Sequence, residues 1–207
     1  MPHVSASLLD SRGRKYLTAQ ERERFLAAAR EHPTPGVQTF ALTLAHTGCR
    51  ISEALALRAG DVDLATAEIR IATLKRRREH WRAVPVPAAL VRELALVHSL
   101  RRAQATPKRA ALRLWPFSRS TGTRHVHALM RQARIEGPQA SPKGLRHAFG
   151  VAAVTAGVPL PTIAAVLGHA ELTTTAVYTT AIGAEARELI ARMWPAPATL
   201  PPSAGGE

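Results

Sequence analysis

Two arginines, two histidines and a tyrosine are spaced along this chain in a way that could do chemistry on a phosphate. Arg50 precedes Glu53 by three residues in His46-Thr47-Gly48-Cys49-Arg50-Ile51-Ser52-Glu53. On a helix that spacing places the carboxylate on the same face, where it can orient the guanidinium. Arg146 and His147 close the run Ser141-Pro142-Lys143-Gly144-Leu145, His169 follows Leu167-Gly168, and Tyr178 follows Thr173-Thr174-Thr175-Ala176-Val177. A phosphodiester resists attack because its anionic oxygens repel a nucleophile, and the five-coordinate transition state gathers further charge on them. Two guanidiniums neutralise that charge, since the planar fork of arginine meets two oxygens at once. Shielded from water, such a clamp is usually the largest catalytic contribution. A phenol, with an ordinary pKa of about 10, both attacks and leaves well once deprotonated. Singly, each feature has an ordinary reading: a surface Arg–Glu pair, a histidine at a helix end, a tyrosine in a core.

In combination, these segments resemble the catalytic boxes of the tyrosine recombinases, the phage-integrase and Xer-like family. Thr47, Gly48, Arg50 and Glu53 match the T-G-x-R-x-x-E box, and Leu145, Arg146 and His147 match the L-R-H box. Leu167, Gly168 and His169 match L-G-H, and Thr175 and Tyr178 match T-x-x-Y. Tyr178 lies nine residues after His169 and 32 after Arg146, and the resemblance runs from about Leu17 to Thr180. It implies site-specific cleavage and rejoining of double-stranded DNA, with Tyr178 joined to the 3′ phosphate and a 5′ hydroxyl released. Arg50, Arg146 and His169 would hold the phosphate, Glu53 would hold Arg50, and His147 would support the site. The family draws its general acid from a lysine on a β-hairpin, a place taken here by Lys75. The other reading of Lys75-Arg76-Arg77-Arg78 is a basic turn that touches phosphates, and Arg76, Arg77, Arg78 and Arg82 are expected to bind DNA in either case. Three residues before the second arginine the family usually has histidine and this chain has Lys143, which leaves the phenol's proton to Lys143, His147 or water. The phosphotyrosyl bond conserves the energy of the broken strand, so no cofactor and no metal is expected.

Lys and Arg number 28 against 15 Asp and Glu, a formal charge of +13 that favours a polyanionic partner. Aromatic residues are only 4%, too few for the stacking platforms of a single-strand or RNA binder. Cys49 is the only cysteine, which excludes an intrachain disulfide and a Cys-rich zinc site; beside Arg50 it is read as a buried residue. The first ten residues lack the basic start and apolar core of a signal peptide, and a reducing cytoplasm is expected. Residues 150 to 168 carry no charge, but Pro159 and Pro161 break the run, so a buried helical pair is expected and no membrane contact.

These residues need a scaffold. The pattern predicts an α+β, mainly α, multi-helix catalytic domain with one small antiparallel β-sheet. Thr18 and Glu21 form a capping box that starts a helix to about Glu31; helices follow at Val37–His46 and Arg50–Arg58. Alternation at Glu68–Thr73 and Trp81–Val86 predicts a hairpin, with Pro85 and Pro87 marking an exposed edge. Further helices are expected at Ala88–Arg102, Gly122–Ile135, Lys143–Ala156, Leu160–Leu167, Thr173–Thr179 and Ala184–Met193. Trp81, Trp115 and Trp194 are assigned to the core. Residues 1–16 are expected to be a basic flexible arm, 17–194 the catalytic domain and 195–207 a disordered tail. The helical N-terminal domain that family members usually carry is expected to be absent, with weaker and more salt-sensitive DNA binding as the consequence. The resemblance also implies a homo-oligomer on DNA, alone or with another recombinase subunit, the last helix docking either in its own core or on a neighbour. The alternative function is a truncated relative that binds DNA without recombining it.

Overall fold

The computed structural model describes residues 9–10, 13–73 and 80–169. Lys75, Arg76, Arg77, Arg78, Tyr178, Trp194, the two helices expected after His169 and the tail lie outside the described residues.

Two short strands, β1 (Leu9–Asp10) and β2 (Gly13–Arg14), pair antiparallel ahead of the first helix. Arg14, near the end of the expected arm, is held against the first helix. The Arg14 guanidinium donates to both oxygens of Glu21 at 2.7 Å and to the Tyr16 carbonyl at 2.7 Å. Helix α1 (Ala19–Arg30) starts where its capping box requires: the Thr18 hydroxyl accepts the Glu21 N–H, and Glu21 accepts the Thr18 N–H.

Helix α2 (Pro35–Thr47) begins with proline at its first turn and is buried along most of its length, making it the spine of the core. The Phe40 ring meets Trp115 edge-on at 5.3 Å and Phe117 at 5.7 Å. Full burial of a side chain the size of Phe40 contributes about 1.5–3 kcal/mol. The Trp115 indole N–H donates to the Thr39 hydroxyl at 3.1 Å, so the one polar atom of that ring is satisfied. Helix α3 (Ile51–Ala56) follows two residues after the Gly48 turn.

A 3-10 turn (Ala59–Asp61) leads into β3 (Val62–Asp63), β4 (Glu68–Ala72) and β5 (Trp81–Pro85), antiparallel in the order β3-β4-β5. β3 is an addition to the expected hairpin, and two residues are too few for alternation to reveal. The register pairs Ile69 with Val84 and Ile71 with Arg82, so Ile69, Ile71, Arg82 and Val84 face inward. β5 is the sheet edge, where Pro85 needs no N–H. The same parity turns Trp81 outward, 49% exposed, contrary to its core assignment, while Trp115 is fully buried.

The helix expected at residues 88–102 is two, α4 (Ala88–Val97) and α5 (Leu100–Gln104), broken at Ser99, whose φ is 49°. The His98 ring pairs with the Thr39 hydroxyl at 3.1 Å and meets Trp115 edge-on, so tertiary anchoring overrides a continuous helical pattern. After the single turn α6 (Pro107–Ala110), α7 (Arg119–Gln132) starts earlier than expected because the Ser118 hydroxyl accepts the Thr121 N–H. Helices α8 (Pro142–Thr155) and α9 (Leu160–Leu167) form the expected buried pair, packed through Val151, Val154, Ile163 and Leu167 with Tyr16 and Phe149 alongside. Among the described residues no helix is long and apolar enough to cross a membrane.

Candidate active site

The site is assembled at the ends of helices. Gly48 closes α2 with φ 60°, and its N–H donates to the Leu44 carbonyl. A Cβ there would lie 2.7 Å from the Phe149 ring and 2.9 Å from Leu167, so only glycine lets α8 and α9 approach this turn. Arg50 then caps α3 in an extended conformation. Its backbone N–H donates to Glu53 Oε2 at 3.0 Å and its Nη1 to Glu53 Oε1 at 2.7 Å. The Arg50 side chain stays 27% exposed while its Nη1 is held by Glu53.

Glu53 is buried, and its Oε2 also accepts from Arg82 Nη2 at 2.7 Å. Burial pushes this carboxyl up, but the charge of Arg82 and hydrogen bonds from Arg50 and Arg82 outweigh burial and hold it below the usual range. The carboxylate is therefore ionised and shared between two guanidiniums.

Arg146, in the second turn of α8, is buried. Its Nη1 donates to the Gly48 carbonyl at 2.9 Å and its Nη2 to the Leu167 carbonyl at 2.9 Å. Those carbonyls lie at the C-terminal ends of α2 and α9, where the helix dipoles are negative and a cation is favoured. The guanidinium thus locks two helix ends together.

His169 follows the left-handed turn of Gly168, and its N–H donates to the Ala164 carbonyl at 2.9 Å. Its ring is pushed down to about 4, first by burial and then by the charges of Arg146 and Arg50, with smaller effects from His147 and Arg82. His147 is also pushed down to about 4, by burial first and then by Lys143, Arg146 and Lys15. Both imidazoles are neutral near pH 7, so each carries one N–H donor and one acceptor nitrogen. Lys143 is exposed in the first turn of α8. Cys49 is buried, and burial pushes its thiol up to about 11, which leaves it protonated and unreactive.

Residues 15–184 match the model of the phage integrase family. The chain belongs to that family. The tyrosine recombinase XerD of Neisseria meningitidis is 32% identical over 171 residues, covering 79% of this chain and 57% of that protein. The crystal structure of XerA recombinase is similar with a TM-score of 0.70 at 28% identity, over 87% of this chain and 65% of that one. XerH recombinase, solved bound to a palindromic difH substrate in a post-cleavage complex, gives a TM-score of 0.68 at 22% identity, over 86% of this chain and 52% of that one. The chain therefore spans between half and two thirds of the length of these relatives, and its fold is that of a tyrosine recombinase catalytic domain.

Within this integrase-family fold, the structure brings Arg50, Glu53, Arg146, His147 and His169 into one neighbourhood, at the start of α3, the first turns of α8 and the end of α9. One expected DNA-binding residue turns inward. Arg82 is 7% exposed and spends its guanidinium on Glu53, on the Thr73 hydroxyl at 2.9 Å and on the Val166 carbonyl at 2.6 Å. Strand parity is the reason: Arg82 shares the inward face of β5 with Val84. The alternation of Trp81 to Pro85 marks two faces of the strand but not which of them is buried. Two participants had no sequence signal, the main-chain carbonyls of Gly48 and Leu167, and the buried Thr73 is a third residue that residue type alone does not mark.

Proposed function

We propose that this chain cleaves and rejoins double-stranded DNA at specific sites through a covalent 3′-phosphotyrosyl intermediate on Tyr178, with residues 17–194 as the catalytic domain. Arg50 and Arg146 neutralise the non-bridging oxygens of the scissile phosphate, and His169 donates its N–H to one of them. The Tyr178 oxygen attacks phosphorus, its proton passing to His147, Lys143 or water. The bond to the 5′ oxygen breaks, and Lys75 protonates that oxygen as it departs, releasing the 5′ hydroxyl. Attack by another 5′ hydroxyl reverses these steps and exchanges strands, with no energy source beyond the phosphotyrosyl bond. Arg76, Arg77 and Arg78 hold the neighbouring backbone. The chain works in the cytoplasm as an oligomer on DNA, with copies of itself or with a second recombinase subunit.

The observation that carries this reading is the pair of arginines beside one neutral histidine, each arginine locked from behind: Arg50 by a buried carboxylate, Arg146 by two helix ends. Such preorganisation suits a charge that develops only in the transition state. The recombinase XerH, on a similar fold, has been captured after cleavage of its substrate. Incubation with nicked DNA followed by a denaturing gel tests the reading. A covalent protein–DNA adduct is expected in the wild type and lost in Tyr178→Phe and Arg146→Ala. Tight binding with no adduct on any cognate site would refute it in favour of a DNA-binding module.

A further inference from the structure

We propose that Arg82 is a positioning residue for this reaction: a buried strut that sets Arg50, the hairpin leading to Lys75 and the His169 turn in mutual register. The inference rests on the recombinase reading above. Three elements meet on one guanidinium. Nη2 donates to Glu53 Oε2 at 2.7 Å, and the other oxygen of that carboxylate accepts Arg50 Nη1 at 2.7 Å. Nη1 donates to the Thr73 hydroxyl at 2.9 Å, two residues before Lys75 in the chain. Nε donates to the Val166 carbonyl at 2.6 Å, three residues before His169. The α9 end is packed onto this junction, since a Cβ on Gly168 would stand 3.0 Å from both Arg82 Nη1 and Thr73 Oγ1.

All three nitrogens of Arg82 donate inside the protein, to Glu53, Thr73 and Val166, so its guanidinium is directed by acceptors within the fold. Stability alone is a poor account of it, because a buried ion pair gains little over apolar residues of the same shape. Orientation is what the planar fork supplies, with fixed directions to acceptors on three different elements. A lysine has a single nitrogen on a flexible stem and cannot span the three. Loss of the strut frees Arg50, the hairpin and the histidine turn to shift relative to one another, and a misplacement of about 1 Å costs on the order of 10²-fold in rate.

The test uses the full chain and nicked DNA, comparing wild type with Arg82→Gln and Arg82→Lys, each checked by thermal melting. DNA affinity is measured across a salt series. Adduct formation is timed at saturating DNA on an ordinary phosphodiester and on one whose bridging 5′ oxygen is sulfur. A thiolate departs without a proton, so the sulfur substrate does not depend on a correctly placed acid. For Arg82→Gln the affinity and salt slope are expected to be unchanged. Its adduct rate on the oxygen substrate should fall on the order of 10²-fold. The sulfur substrate should recover about tenfold or more of that loss, and Arg82→Lys should fail to restore the wild-type rate. An oxygen-substrate rate within about twofold of wild type overturns the proposal, as does a salt slope reduced by about one, the mark of a lost phosphate contact. Equal losses on the two substrates, the pattern of general loosening, overturn it as well. If Arg82→Gln does not fold, Thr73→Val removes the hairpin arm alone and is judged by the same criteria. A wild type that forms no adduct on either substrate refutes the recombinase reading itself. Arg82 is then decided by the salt series, where an unchanged slope supports the inward strut and a slope reduced by about one overturns it.

Discussion

Glutamine in place of Glu53 would keep the shape of the buried side chain and remove the charge shared by Arg50 and Arg82. Arg82, 7% exposed, would be left as a buried guanidinium facing a neutral amide. Removing one partner of a buried pair costs about 3–5 kcal/mol. Arg50 is 27% exposed at its side chain, so water compensates that half of the loss, and the lower end, about 3 kcal/mol, is expected. Each kcal/mol moves the melting point of a chain this size by about 2–4 °C, so Glu53→Gln should melt roughly 6–12 °C lower. Arg82→Gln in the same background removes the stranded charge and should recover part of the loss, with a coupling of about 1–3 kcal/mol. Urea unfolding of the four proteins of this cycle measures both quantities, provided the slope m is shared. A Glu53→Gln loss below about 1 kcal/mol, or single losses that add within about 0.5 kcal/mol in the double variant, would refute the shared-carboxylate account.

Two further outcomes follow from the same geometry. Gly48→Ala forces a left-handed alanine, at about 1–2 kcal/mol, and drives its methyl into Phe149, at about 1–3 kcal/mol more. Because the Gly48 carbonyl also holds Arg146, this variant should lose adduct formation along with stability, whereas intact cleavage in a destabilised protein would show that the turn does not position Arg146. On acidification, His46, His147 and His169 matter most, each pushed down to about 4, by burial first and then by neighbouring cations. The unfolded chain takes up these protons near the ordinary value of about 6.5, so stability is complete above that pH and is lost progressively down to about 4. A urea midpoint that stays constant between about pH 6.5 and 4 would contradict the burial of these rings.

Most of the fold was legible because its signals are local. Thr18 and Glu21 lie three residues apart, and their reciprocal hydrogen bonds start α1 where the pattern predicts. Gly48 and Gly168 end α2 and α9 in left-handed turns, and Pro159 and Pro161 at the start of α9 divide a stretch whose lack of charge alone resembles a membrane span. The failures came where a contact distant in sequence decided the outcome. Ser99 breaks a helix where His98 is held by Thr39 and Trp115, and Trp81 turns outward because β5 pairs with β4 in a register that buries Arg82 and Val84.

The site divides along the same line. By itself the sequence determined the types, order and spacing of Arg50, Glu53, Lys143, Arg146, His147 and His169, and through them the family, because each box is a few residues long. Only the tertiary structure decided which acceptors each arginine meets. Arg146 reaches the Gly48 carbonyl across 98 residues, and Arg82 reaches Val166 across 84. Even the parity of β5, visible in Trp81 to Pro85, does not say which face is buried until α9 packs against the strand and Glu53 rises beneath it. An arginine's direction is set by its acceptors, and here the acceptors for Arg82 and Arg146 are supplied by elements that only folding brings together.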